Sequence, residues 1–256
     1  MTQYKKNYEL KNAAKDKLDG KYGKAMLLFL LSSLISGTVT LFINSVASAT
    51  MSSVFLQSGN MTAANIISLA FDAILVLANI ICAVMNAGIA LYFLSMACNR
   101  PCSLGSLFYG FKNESKKTLT VSAALILCQV ICLWPCQYCL QFALSTTDGE
   151  LKKKLLLCAV AAVIVGLCIY IPVSLGIAMS FYLMFDFPEN SGKETLALCW
   201  RIMKGHRLRL FLLQLSFLPL ILLCILSFGI GFLWLEPYME LTYAYFFLDL
   251  MNPAQH

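Results

Sequence analysis

Hydrophobic residues run along this chain in long uninterrupted stretches that alternate with short basic segments. Six stretches are long and apolar enough to be membrane-spanning helices: residues 25–49, 66–98, 119–145, 155–185, 210–228 and 232–250. A spanning helix needs about 20 mostly apolar residues to cross roughly 30 Å of hydrocarbon. The pattern therefore predicts an all-α polytopic bundle of about six transmembrane helices, in a single integral-membrane domain covering 1–256.

A short amphipathic, basic segment precedes three of these stretches and ends in each case at a glycine: Gly20, Gly110 or Gly205. In the second and third segments, apolar residues recur at i, i+3, i+4 and i+7, the spacing of one helical face; they are Leu104, Leu107, Phe108 and Phe111, and Leu196, Cys199, Trp200 and Met203. The first segment carries a narrower stripe of Leu10, Ala14 and Leu18. We expect short interfacial helices on the cytoplasmic face of the membrane, with helices packed on one another as the alternative.

The third segment has a clear start signal, because Ser191 followed three residues later by Glu194 is the sequence of a capping box. If each interfacial helix opens a unit, the chain divides into 1–98, 99–188 and 189–256, each with an interfacial helix and a hairpin of two spans. All three units start on the same side, which argues against an inverted-repeat transporter. Residue identity between the units is low, so chance similarity stays open beside a true repeat.

Composition supports the membrane assignment, since 59% of the residues are hydrophobic and 12% are charged, against about 25% charged in soluble domains. Cytoplasmic loops of membrane proteins are enriched in Lys and Arg. An N-terminus in the cytoplasm puts all of the 19 lysines and arginines on that side except Lys152, Lys153 and Lys154. We therefore predict a multi-pass protein of the cell membrane with both termini cytoplasmic.

The net charge of +6 is concentrated beside the spans rather than in a separate basic domain, so no nucleic-acid partner is expected. A Lys or Arg near an anionic leaflet contributes about 1 kcal/mol of membrane binding. We therefore expect membrane lipids as partners. The candidate contacts to anionic lipid are Lys112, Lys116, Lys117, Lys204, Arg207 and Arg209.

Carboxylates within the predicted spans are the strongest candidates for function, because a charge inside the bilayer costs a few kcal/mol. Counted from the outer ends of their spans, Asp72 and Glu240 lie at similar depths, about 10 and 12 Å. Glu236 is one turn above Glu240 on the same face. We predict that Asp72, Glu236 and Glu240 line an outward-facing polar site for a cation, a proton or an amine, with placement in the wet interface as the alternative. Asp249, near the inner end, is expected to reach water.

Eleven cysteines invite a metal or redox interpretation, and four of them, Cys128, Cys132, Cys136 and Cys139, lie along one face of the third span. Thiolates are costly in hydrocarbon, and the chain has only 2 histidines to complete a metal site. We expect these cysteines to act as small apolar residues between helices, with no metal or cofactor; a redox role for the Cys136–Cys139 pair is the alternative. P-loop, GxSxG, HExxH and dinucleotide motifs are missing, so no enzyme activity is expected.

Several segments resemble one known family. They are SGKETLALCWRIMKGHR at 191–207, FLLQLSF at 211–217, GIGFLWLEPY at 229–238 and AYFF at 244–247, together with LKNAAK at 10–15 and YGF at 109–111. In these segments the chain is similar to an uncharacterised family of bacterial multi-pass membrane proteins, domain of unknown function 975 (DUF975). The resemblance implies a bacterial cell membrane and no established activity, cofactor or catalytic residue. The richness in cysteine departs from the usual pattern of the family.

These features favour a non-enzymatic accessory or scaffold protein that acts on lipids or on other membrane proteins, because basic helices flank the spans and no large extramembrane domain separates them. A small transporter or channel with an outward-facing acidic site is the alternative. It requires a connected polar path, to which Gln129, Gln137, Gln141 and Gln214 could contribute. The sequence predicts neither a substrate nor an oligomeric state.

Overall fold

The structure is a computed structural model that describes residues 4–58, 61–113, 115–145 and 149–252. Its helices are α1 (Asn7–Leu18), α2 (Tyr22–Ser58), α3 (Met61–Ala97), α4 (Tyr109–Lys112), α5 (Ser115–Ser145), α6 (Gly149–Ile177), α7 (Ser180–Asp186), α8 (Gly192–Ile202), α9 (Arg207–Leu215), α10 (Leu218–Leu226) and α11 (Phe232–Met251). A 3₁₀ helix, Leu104–Phe108, directly precedes α4. These ranges contain no strand, and the predicted all-α class is confirmed.

Five helical stretches are long and apolar enough to cross a membrane: Tyr22–Ser53, Ile66–Ala97, Ser115–Gln137, Gly149–Asp186 and Arg207–Leu226. They coincide with the first five predicted spans, and the protein is a multi-pass membrane protein. The sixth predicted span forms α11, which carries Glu236, Glu240 and Asp249 and is not among the five. The count of six spans and the threefold repeat stay predictions.

The membrane-crossing helices expose apolar side chains along most of their length. Leu41 of α2, Leu77 of α3, Ile131 of α5 and Leu157 of α6 are each more than half exposed. Contiguous apolar surface on this scale marks contact with another apolar phase, and for helices of this length that phase is lipid. The hairpins α2–α3 and α5–α6 therefore present most of the hydrocarbon-facing surface.

Small residues let α5 and α6 approach closely. A β-carbon at Gly166 would lie 2.4 Å from the carbonyl oxygen of Cys132, so only glycine fits at this crossing. Small residues at such crossings allow close van der Waals packing inside a membrane. This contact involves the backbone of Cys132, and the predicted role of the cysteine side chains stays a prediction. All eleven cysteines are free thiols.

The protein's own core is confined to one part of the molecule. Helix α3 has no buried residue between 66 and 79, and most of its positions from Ile80 to Ala97 are then buried, with Ile81 and Asn86 exposed. This half of α3 packs against α5, α7 and α11. The largest fully buried side chains in the core include Phe93, Phe217, Phe246 and Phe247. Half of α3 thus faces lipid and half faces protein.

Helix α1 packs against α11, with its stripe of Leu10, Ala14 and Leu18 almost completely buried. The apolar face predicted for the first amphipathic segment is correct, but it meets protein and not lipid. Lys11 ties α1 to the junction of α9 and α10, where its ammonium donates to the carbonyl of Ser216 at 2.8 Å and lies 4.0 Å from the centre of the Phe217 ring. Helix α1 therefore packs on other helices, which was the alternative to a position at the lipid interface.

The second amphipathic segment is not one α-helix, which corrects the prediction. It forms the 3₁₀ helix and the four-residue α4, and of its predicted apolar face only Leu107 is buried. The reason is its close approach to α3, since a β-carbon at Gly88 would lie 2.3 Å from the carbonyl oxygen of Ser106. Gly110 does not end a helix there but packs against Val84 and Thr118.

The third amphipathic segment forms α8 with the predicted capping box. The Ser191 N–H donates to Glu194 Oε2 at 2.8 Å, and the Glu194 N–H donates to Ser191 Oγ at 3.4 Å. Cys199 is buried, whereas Trp200 is 42% exposed. Gly205 follows with a φ of +93°, a conformation that glycine adopts without the strain a side chain would add. This turn directs the chain from α8 into α9.

Candidate functional site: a polar chamber and a basic groove

A cavity of about 310 Å³ lies between α2, α3, α7, α9 and α11. Polar groups enter it from the last four of these helices: Asn86, Tyr182, Gln214, Glu236, Glu240 and Tyr243. Glu236 and Glu240 reach it together because residues four apart lie on one face of a helix. We call this cavity the chamber. The structure thus brings together two of the three carboxylates that the sequence singled out.

Tyr182 fixes the Glu240 carboxylate within the chamber. Its hydroxyl donates to Glu240 Oε2 at 2.8 Å and lies 3.2 Å from the Glu240 carbonyl oxygen. The Tyr182 ring is buried and stacks on Phe247, with 5.6 Å between ring centroids. In the part of the chain that the structure describes, neither Glu236 nor Glu240 forms an ion pair. Within these residues, the Glu240 carboxyl group is met by the Tyr182 hydroxyl and not by a cation of the protein.

Asn86 connects the chamber to a second, smaller cavity. This cavity of about 160 Å³ lies between α3, α5 and α6, and Gln129, Tyr170 and Ser174 supply its polar side chains. Gln214 of the chamber and Gln129 of the second cavity were both predicted contributors to a polar path. Gln137 is exposed and lines neither cavity, and the side chain of Gln141 lies outside the described part of the structure.

Asp72 lies apart from the chamber. It precedes Asn86 by 14 residues on α3, which corresponds to about 21 Å along a helix axis. Its side chain is half-buried and has an interaction of its own. The similar depths inferred for Asp72 and Glu240 assumed that the outer ends of α3 and α11 lie at the same level. The chamber instead brings Glu240 beside Asn86, which lies farther along α3 than Asp72.

Sequence reasoning missed Asn86 and Tyr182 as chamber residues. Asn86 is an amide in an otherwise apolar span, a signal that could have identified it, because polar residues in spans usually face a bundle interior. Tyr182 carries no such signal. Its role depends on the break between α6 and α7, which turns this tyrosine towards α11.

Two of the predicted lipid contacts make internal bonds. Lys117 is 8% exposed, and its ammonium donates to the carbonyl oxygens of Met184, Phe187 and Pro188, at 3.2, 2.7 and 3.2 Å. These carbonyls lie at the end of α7, where a helix favours a cation. Lys117 therefore links α5 to the end of α7 and does not reach the lipid surface.

Arg209 is the second inward-facing cation. Its guanidinium pairs with Asp249 of α11 and donates to the carbonyl oxygen of Lys5 at 2.8 Å. The Lys5 N–H donates to Asp249 Oδ1 at 3.3 Å. Asp249 is 6% exposed, so the expectation that it reaches water was wrong. This buried pair holds the segment before α1 against α9 and α11.

The other predicted lipid contacts stay at the surface. Lys112, Lys116 and Lys204 are exposed. Arg207 is half-buried, with its guanidinium carbon 3.8 Å from the centre of the Trp200 ring. Arg207 and Trp200, together with Arg201 and Lys204, line a groove of about 590 Å³ between α8 and α9. We call it the basic groove.

No metal site is found in the described residues, since they contain no group of three or more His, Cys, Asp or Glu side chains that could hold a metal ion. The side chains that line the two sites offer ionic contacts. The chamber offers carboxylates, amides and phenols to a cation, and the basic groove offers ammonium and guanidinium groups to an anion.

Comparison with known proteins identifies the family over the whole fold. The sequence model described as "protein of unknown function (DUF975)" matches residues 1–253. The chain belongs to the DUF975 family. The match covers both the chamber and the basic groove. No curated protein and no solved structure shows significant similarity to the chain.

Proposed function

We propose that this DUF975 protein is a non-enzymatic membrane protein of the transporter class that binds a small cation or an organic amine in the chamber. The observation that carries the proposal is the meeting of Glu236 and Glu240 in one cavity without a cationic partner in the described residues. Ionisable groups inside membrane proteins are rare, and by default they indicate ion or substrate sites.

The size and lining of the chamber support this ligand class. A volume of about 310 Å³ corresponds to about ten water molecules at roughly 30 Å³ each, enough for a hydrated ion or a small amine. Asn86, Gln214 and Tyr243 surround the carboxylates with neutral groups. The second cavity at Asn86 continues the polar lining towards α5 and α6, as a transport path requires.

The test compares Glu236→Gln/Glu240→Gln with wild type and with Asp72→Asn, which removes a carboxylate from the same protein outside the chamber. The purified proteins are melted in a series of NaCl, KCl and methylammonium chloride concentrations at constant ionic strength. A ligand that binds only the folded protein raises the melting temperature with concentration. We expect one of the three cations to stabilise the wild type and Asp72→Asn, and the double variant to lose the effect. Equal responses in all three proteins, or none in any, would overturn the proposal.

A second candidate is the accessory or scaffold role at the lipid surface. It is favoured by the exposed pair Phe108 and Phe111 beside the exposed Lys112 and Lys116. Aromatic rings and lysines together suit the boundary between headgroups and acyl chains. Lys112→Gln/Lys116→Gln is expected to lower the number of anionic lipids retained in native mass spectrometry, and unchanged retention would count against this role.

A further inference from the structure

We propose that the basic groove binds the phosphate of an anionic phospholipid headgroup. The groove is formed by the last turn of α8, the Gly205 turn and the first residue of α9, and Arg201, Lys204 and Arg207 all line it. This site deepens the accessory role by naming its ligand and its residues, and it is independent of the chamber.

The positive charge of the groove is not neutralised within the described residues. Arg201, Lys204 and Arg207 form no ion pair there, and the Arg207 Nε is buried without a hydrogen-bond partner. Arg209, only two residues further along α9, is by contrast paired with Asp249. Among the described residues, Arg209 thus has a counter-charge and the cations of the groove have none.

Arg207 is held in place before any ligand binds. Its guanidinium lies 3.8 Å from the centre of the Trp200 ring, a cation–π contact. Trp200 is pressed against α6, where a β-carbon at Gly176 would lie 2.5 Å from its Cε3 atom. A fixed guanidinium loses little entropy on binding and can donate two parallel hydrogen bonds to a phosphate.

The start of α9 adds a further attraction for an anion. His206 occupies the N-cap position, and its side chain makes no capping hydrogen bond. The first N–H groups of a helix lack partners within the helix, and the helix dipole places partial positive charge at that end. Phosphates bind at such helix starts, and here Arg207, the first residue of α9, lines the groove together with Arg201 and Lys204.

A lipid, and not a soluble phosphate, is indicated by the position of the groove. Arg207 is the first residue of the membrane-crossing stretch Arg207–Leu226, so the groove lies where this stretch leaves the hydrocarbon. Trp200 and Leu208 beside it are 42% and 68% exposed. Exposed Trp and Leu at that level meet acyl chains and headgroups, which places lipid phosphate within reach of the three cations.

The test uses the whole protein in detergent with a mixture of phosphatidylglycerol and phosphatidylcholine, and native mass spectrometry counts the lipids retained. The groove variant is Arg201→Gln/Lys204→Gln/Arg207→Gln. Lys152→Gln/Lys153→Gln/Lys154→Gln is the matched control, since it removes the same charge from three exposed lysines at the start of α6. Lys204→Gln, at an exposed side chain, tests the groove with little risk to folding.

We expect wild type and the control to retain one tightly bound phosphatidylglycerol that the groove variant loses. Loss of charge-assisted hydrogen bonds should weaken its affinity about tenfold or more, with a smaller decrease in Lys204→Gln. Equal loss in the control and the groove variant would overturn the site. Displacement of the lipid by an equal concentration of inorganic phosphate would overturn its assignment to lipid. If Lys112→Gln/Lys116→Gln loses lipid and the groove variant does not, the accessory role stands and the groove proposal fails.

Discussion

At the scale of single residues, the direction of a charged side chain matters more than its position in the sequence. Lys116 and Lys117 are neighbours, yet one is exposed and the other donates to three carbonyl oxygens at the end of α7. The sequence identified Glu236 and Glu240 as a pair because their spacing is local to one helix. It could not place Asp72 or Arg209, because their neighbours come from distant parts of the chain.

The Arg209–Asp249 pair provides a stability test. Asp249→Asn leaves the guanidinium largely buried without its counter-charge, which is expected to cost about 3 kcal/mol. Lys153→Gln is the control, because the Lys153–Glu150 pair is 78% and 77% exposed and exposed pairs contribute little. Denaturation in mixed micelles measures both variants. Equal stability of Asp249→Asn and wild type would show that the pair is not structural.

The close contact at Gly88 gives a second test at this scale. Gly88→Ala places a β-carbon against the backbone carbonyl of Ser106, which cannot move without shifting the 3₁₀ helix. We expect a destabilisation of about 1–3 kcal/mol. Gly37→Ala on α2 meets no atom within 4 Å and should be neutral or slightly stabilising, since alanine favours helix. A ranking of the two melting temperatures in the opposite order would contradict the observed contact.

At the scale of elements, amphipathic patterns predicted which face of a helix is apolar and not what that face contacts. The stripe of α1 was read correctly, but it is buried against protein. The stripe of α8 was correct only in part, because Cys199 and Met203 are buried and Trp200 is exposed. The middle segment has the same periodicity and does not form one helix. Periodicity describes a segment alone, whereas the backbone approach at Gly88 depends on a partner helix that the pattern does not contain.

The attachment of the segment before α1 should depend on pH through His206. Its ring packs edge-on against Tyr4, with 4.8 Å between centroids. Burial and then the charge of Arg209 lower the pKa of His206, while Asp249 acts in the opposite sense. Because the pKa is lower in the folded chain, the stabilisation is complete above about 6.5, the usual value, and is lost as the pH falls through the folded value.

We therefore expect protection of the amides in α1 against hydrogen exchange, corrected for the intrinsic rate, to decrease below about pH 6.5. Lys5 and Asp249 also face this region, so His206→Gln is the variant that isolates the histidine. It should make the protection of α1 nearly independent of pH between 5 and 7.5. An unchanged pH response in His206→Gln would assign the effect to another group.

At the scale of the whole molecule, hydropathy predicted the spans well and the core poorly. Length and apolar composition are sufficient to place five membrane-crossing stretches, because the bilayer imposes them locally. They do not reveal that α3 faces lipid before residue 80 and protein after it, since both surroundings favour the same side chains. The chamber could not be predicted either, because its walls come from five helices that are distant in the chain.

The pairing of α1 with α11 has a consequence for how the protein is made. Helix α1, with Leu10, Ala14 and Leu18 buried, packs mainly on α11 and also touches α3, so a ribosome must translate more than 200 further residues before its main partner exists. Chains emerge at about 5–20 residues per second, which leaves α1 without its main partner for tens of seconds while the spans insert. During biogenesis this helix is therefore an exposed apolar surface, and closure of the core is a late, post-insertion event.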